Sequence, residues 1–171
     1  MHKISVSLGD IDDAIRQLED YEKKVQQNIK DFVQKLLDTG VEIAKATIYE
    51  LDAVDTLKLY NSVKEPVLYK DGSGGVIFTD SPYAAFVEFG TGVANNGSVG
   101  SSNHPLGVQL GMTIGTYGEG KGANPDGWYY YDNEQGRLRY TQGMPSRPFM
   151  YSTAKEMERI AAKVAKEVFS R

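Results

Sequence analysis

No proline occurs between residues 1 and 65, and through most of that stretch apolar residues recur at steps of three and four. Ile11, Ile15, Leu18, Val25, Ile29, Phe32 and Leu36 form a stripe that Glu22 interrupts and Tyr21 can cover, and the pattern resumes through Val41, Ile43, Ala44, Ile48 and Leu51. The spacing predicts an amphipathic helix of about 40 residues beginning near Asp10, with one weak point at Asp38-Thr39-Gly40. Unbroken, such a helix would reach roughly 60 Å at ~1.5 Å per residue. A compact chain of 171 residues has a radius of gyration near ~15 Å. Either Gly40 bends the helix, or it projects and another subunit covers it. Packing of the stripe on its own core is the ordinary source of helix stability; a protruding, partner-seeking helix is the other reading, and both stay open.

The rest of the chain reads as short elements. His2 to Leu8 alternates like a half-buried strand, Gly9 breaks it, and Asp10, Asp12 and Asp13 supply an acidic first helical turn. Leu57, Tyr60 and Val63 suit a last helical turn before Pro66. Val67–Tyr69 and Gly75–Thr79 flank the DGSGG loop as a hairpin, and Ser81-Pro82 then reads as a cap and first helical residue for a turn, Tyr83 to Phe89, that Gly90 ends. Residues 90–127 hold 11 of the 18 glycines and read as a long flexible arm, in which only Val108 to Ile114 could pair as a strand. Trp128–Tyr131 and Leu138–Tyr140 form a second, aromatic hairpin. Phe149, Met150, Ala154, Met157, Ile160, Ala161, Val164, Ala165 and Val168 carry helical spacing to the C-terminus. The expected fold is α+β: a small antiparallel sheet built from hairpins, packed against a long N-terminal helix and a C-terminal helix, in a single domain 1–171 with residues 90–127 as a flexible loop.

Composition narrows the chemistry. The chain has no cysteine and two histidines, His2 and His104, so thiol catalysis, disulfides and a multi-histidine metal centre have nothing to work with. No catalytic residue, metal site or cofactor is expected. The acids at Asp10, Asp12, Asp13, Glu19, Asp20 and Glu22 fall on the solvated helix face. Gly115 to Gly122 imitates a phosphate-binding loop, but Gly122 stands where magnesium needs a hydroxyl, and Ala123-Asn124-Pro125-Asp126-Gly127 makes a turn where the motif needs a helix. Asn96-Gly97-Ser98 fits a glycosylation sequon, which is uninformative without a secretory signal, and none is read at the N-terminus. No apolar run approaches the ~18 residues of a membrane span. With 19 basic and 23 acidic residues and a pI of about 5.2, direct sequence-specific nucleic-acid binding is not expected. Charge is uneven, however: residues 1–55 are acidic and residues 128–171 basic.

The segment SPYAAFVEFGTG at 81–92, with VDTLKLYNSV at 54–63 before it and PSRPFMYSTAKEM at 145–157 after it, resembles the minor tail component family of long-tailed bacteriophages and prophages, also termed tail-completion or head–tail joining proteins. The central signature matches at Tyr83, Ala84, Phe86, Val87, Glu88, Phe89, Gly90 and Thr91. The opening of the final helix matches at Pro148, Phe149 and Ala154, next to Arg147, and the first stretch departs, with Leu57 after Asp55-Thr56 where the family has glycine. The resemblance implies a virion component without enzymatic activity. It would form a ring, expected to be a hexamer, at the head-proximal end of the tail, touching the tail tube or terminator protein on one side and a head connector on the other. Tyr83, Phe86, Val87, Glu88, Phe89, Gly90, Thr91, Arg147, Pro148 and Phe149 are the candidate interface or fold signature. Within it Glu88 is placed to pair with a basic group, and the alternative to subunit contact is a helix-cap motif serving the fold. The charge asymmetry suggests the acidic N-terminal helix of one copy facing the basic C-terminal third of the next. A non-viral ligand- or partner-binding domain that uses the arm as a lid is the competing reading.

Overall fold

The computed structural model describes residues 8–53, 57–93, 104–111, 128–133, 135–141 and 143–170. The strand reading of His2 to Leu8, the sequon at 96–98 and the glycine-rich loop at 115–122 lie outside these residues, apart from Leu8, which already belongs to the first helix.

Helix α1 runs from Leu8 to Glu50 without a break. Side-chain pairs one turn apart line its polar face, Gln27 with Asp31 and Gln34 with Asp38, each at 2.8 Å. It ends in a Schellman arrangement: Ala53 N–H donates to the Ile48 carbonyl and Asp52 N–H to that of Tyr49, with Asp52 left-handed at φ 50°. The Leu57 turn is therefore no extension of this helix; it precedes a separate short one, α2, Lys58–Ser62.

Gly40 is not a hinge. A Cβ there would stand 2.4 Å from Ile77 Cδ1 and 2.5 Å from Met157 Sδ, so glycine is what lets α1 approach its neighbours. Met157 belongs to α4, Phe149–Phe169, which lies antiparallel against the C-terminal half of α1. Lys35 meets Glu167 at 2.5 Å at one end, and Ala44 and Ile48 meet Phe149 in the core at the other.

The core gathers Val41, Ala44 and Ile48 of α1, Leu59 of α2, Val63, Ala84 and Val87 of α3 (Ala84–Phe89), and Phe149 of α4. Among the described residues the strands come as three antiparallel pairs. Strands β1 (Val67–Leu68) and β2 (Gly75–Val76) form the first expected hairpin, which sits on α1 where Gly75 faces Leu37. Strands β4 (Trp128–Asp132) and β5 (Arg137–Thr141) form the second, with Tyr129 opposite Tyr140 and Tyr131 opposite Leu138. Strands β3 (Gly92–Val93) and β6 (Gly143–Met144) pair across the whole arm. The α+β expectation thus holds, with the strands divided among separate pairs.

The apolar stripe meets two fates. From Leu37 onward it is the core, but residues 8–24 are exposed throughout, with Leu18 at 67%. Packing on its own core therefore describes the C-terminal half of α1 and fails for the N-terminal half.

Candidate functional site

Part of the signature is organised around one buried carboxylate. Glu88, in the last turn of α3, is only 7% exposed. Its Oε2 accepts the Met150 N–H at 2.9 Å and its Oε1 the Tyr151 N–H at 3.0 Å. These are among the orphan donors of the first turn of α4, whose preceding residue, Pro148, offers no side-chain cap. Glu88 supplies from another element what Ser, Thr, Asp or Asn does locally, and it adds a negative charge at the positive end of the helix dipole.

The basic group expected beside Glu88 is His104, whose Nε2 lies 2.9 Å from Oε1. His104 Nδ1 accepts the Leu106 N–H at 3.0 Å, so in the neutral ring Nε2 carries the hydrogen and donates to Glu88. The rings of Phe89 and Tyr151 flank the imidazole at centroid distances of 4.5 and 5.5 Å. Within the stretch read as a flexible arm, residues 104–111 therefore form turns anchored by a buried side chain. Val108 to Gly111 belong to those turns and not to a strand, while Ile114 lies outside the described residues.

The residues on either side fasten the same region. Gly90 adopts φ 76°, ψ 168°, and a Cβ there would meet the backbone at Ser146 N (2.6 Å) and Met144 O (2.9 Å). Thr91 grips Met144 twice, its N–H donating to the carbonyl and its Oγ1 accepting the amide, both at 2.9 Å. Ser146 Oγ donates to the Glu88 carbonyl at 2.6 Å, and the Arg147 N–H to that of Val87 at 2.8 Å. Phe149 is fully buried in the core. Ser81 does not cap α3 as expected: its Oγ is buried without a hydrogen-bond partner, and Tyr83 holds the cap position with no side-chain bond.

Tyr83, Phe86, Val87 and Arg147 face a different space, a cleft of about 660 Å³ that α2 and the β4–β5 hairpin also line. Asp132 and Arg139, neighbours on the hairpin wall of this cleft, pair at 3.2 Å. The Asp132 carboxyl is held below the usual carboxylate range, first by the Gln135 N–H and then by Arg139.

Residues 12–90 match the family described as Bacteriophage HK97-gp10, putative tail-component. The resemblance to phage tail proteins is borne out over that segment. No curated protein and no solved structure matches the chain. The HK97-gp10-like segment takes in nearly all of α1 and ends at Gly90, so it contains Glu88 while His104 and the start of α4 lie beyond it. Among the described residues no group of three or more His, Asp or Glu could hold a metal ion, and no helix is long and apolar enough to cross a membrane.

The part of this site that sequence reading missed is the role of His104, hidden in a glycine-rich context. One signal was present. A helix that opens Arg147-Pro148-Phe149 has proline at the cap position, where no side chain can accept a hydrogen bond, so its first amides need a distant acceptor, and Glu88 lies at the end of an otherwise apolar turn.

Proposed function

We propose that this chain is a structural virion protein of a bacteriophage neck or tail, assembling as a ring, with six copies the expected number, at the head-proximal end of the tail, where it joins or completes the tail. Its partners in this reading are further copies of itself, the tail tube or terminator protein, and head connector proteins. It works by docking, without catalysis, membrane contact or direct sequence-specific reading of nucleic acid. Its place is the virion, after assembly in the bacterial cytoplasm.

One observation carries the reading: the segment that matches a tail-component family takes in nearly all of a helix whose N-terminal half, within that segment, presents Ile15 and Leu18 to solvent. A stripe of this size on a monomer marks a protein–protein surface. The buried signature supports it from another direction, because Glu88 has both oxygens committed to the fold and none poised for a substrate.

Deleting the gene from the phage that encodes it tests the proposal. Filled heads and tails that accumulate unjoined or incomplete, rescued by the wild-type chain in trans, are the expected result. Infectious particles of normal morphology without the protein would refute it.

A further inference from the structure

Two large apolar faces lie uncovered among the described residues. One is the N-terminal half of α1. The other belongs to the β4–β5 hairpin: residues directly opposite in an antiparallel pair share a face, so Tyr129 with Tyr140 and Tyr131 with Leu138 set four large side chains side by side. Each is 50–70% exposed. Tyr130, Asp132 and Arg139 take the other face, toward the cleft. A two-stranded ribbon is marginally stable in water by itself, so this outer face gains from cover.

The helix cannot supply its own cover by folding back. Its axis runs unbroken for roughly 44 Å from Leu8 to Leu37, where burial begins. Nor does it suit a second α1. Leu8, Ile11, Ile15, Leu18, Glu22, Val25 and Ile29 follow a strict three-four alternation, the seam of a coiled coil. Parallel self-pairing sets Glu22 against Glu22 in that seam, and either orientation gathers like charge, since residues 8–31 hold seven acidic and four basic side chains. The hairpin is charge-balanced and opens the part of the chain, residues 128–171, in which eight basic side chains outnumber five acidic ones.

We infer that Leu8, Ile11, Ile15 and Leu18 of one copy pack on the Tyr129, Tyr131, Leu138 and Tyr140 face of a second copy. The contact is heterologous and repeats head to tail, closing into a ring or continuing as a fibre according to its rotation. With aromatic side chains of 150–250 Å² each, half to two-thirds exposed, the hairpin contributes on the order of 400 Å² of apolar cover, about half of the ~800 Å² per partner in a standard interface. The flanking charges of α1 and the C-terminal third form the rim. This inference rests on the proposal that the chain assembles with itself.

The absence of cysteine makes the test clean. Ile15→Cys and Leu138→Cys are made in separate full-length chains, at exposed positions that leave the fold intact. They are mixed with a short bismaleimide, and the products are weighed by mass spectrometry, with light scattering of the wild-type chain alongside. A crosslinked pair containing one of each variant, at least tenfold over either self-pair, is the expected result. A ladder of covalent oligomers from the doubly substituted chain agrees with it. Predominant Ile15→Cys self-pairs in a chain that still self-associates would overturn the inference while leaving the assembly proposal standing, as would crosslinking to neither face. A wild-type chain that is monomeric by scattering and gives no crosslinks, both alone and with the tail-tube protein present, would remove both.

Discussion

Glu88 and His104 stand 16 positions apart in the chain and 2.9 Å apart in space, buried together under the first turn of α4. Through this pair one carboxylate ties three segments that share no local sequence: the end of α3, the turns at 104–111 and the start of the C-terminal helix.

Glu88→Ala leaves two helix N–H groups and a buried imidazole without their acceptor, and each buried donor left unmet costs about 1–3 kcal/mol. Glu88→Gln keeps one acceptor oxygen but turns an NH2 group toward a backbone N–H, so its cost is smaller, about 1–3 kcal/mol. Urea unfolding monitored by circular dichroism measures both. Equal midpoints for the wild type and Glu88→Ala would show that the cap contributes nothing.

His104→Ala acts more locally. Amides of Leu106 to Leu110 lose their anchor and exchange faster, while Met150 and Tyr151 keep the Glu88 acceptor and stay protected. Hydrogen exchange read by mass spectrometry separates the two regions, and uniform acceleration across both would contradict the assignment.

Two glycines differ in what a side chain would meet. At Gly90 the obstacle is backbone, and the φ, ψ region is one only glycine occupies freely. Gly90→Ala is therefore expected to destabilise by about 3 kcal/mol or more. At Gly40 the obstacles are the tips of Ile77 and Met157, which yield more easily, and alanine gains about 1 kcal/mol of helix propensity. Gly40→Ala should come out near neutral, while Gly40→Val overpacks the α1–α4 contact at a cost of about 1–3 kcal/mol. Melting temperatures of the three variants give the order, and a Gly90→Ala chain as stable as the wild type would refute the backbone argument.

The lowered carboxyl of Asp132 gives the β4–β5 hairpin a pH dependence. A group whose folded value lies below its unfolded one contributes fully above the unfolded value, ordinarily about 3.9, and its contribution fades as pH falls through the folded value. Exchange protection of the Tyr131 and Leu138 amides should therefore hold at neutral pH and drop in acid below about 4. In Asp132→Asn that acid step should be absent.

Local periodicity foretold most elements, because helices α1, α3 and α4 and both hairpins are written in nearest-neighbour spacing. It could not tell which half of α1 would find a partner. Ile15 and Ile48 are the same residue type in the same kind of stripe, yet one is 49% exposed and the other fully buried. What separates them is the reach of α4 and the β1–β2 hairpin, a long-range matter. Gly40 misled for the same reason, since its neighbours Ile77 and Met157 are far away in sequence and helix propensity alone marks it as a weak point. The end of α1 was hidden because Asp52, not a glycine, takes the left-handed position. In the candidate site, Glu88 was legible as a charge in an apolar turn needing a partner, and His104 was masked by the glycines around it.

Sedimentation of the purified chain, alone and with the tail-tube protein of the same phage, tests the central claim most directly, alongside an Ile15→Asp/Leu18→Asp variant. The expected result is a discrete multiple of 18.9 kDa for the wild type in at least one of the two conditions, falling to the monomer mass in the variant with its helical content unchanged. An 18.9 kDa species at every concentration and with the tube protein present, or an oligomer indifferent to the two substitutions, would contradict a chain that acts by docking the exposed half of α1.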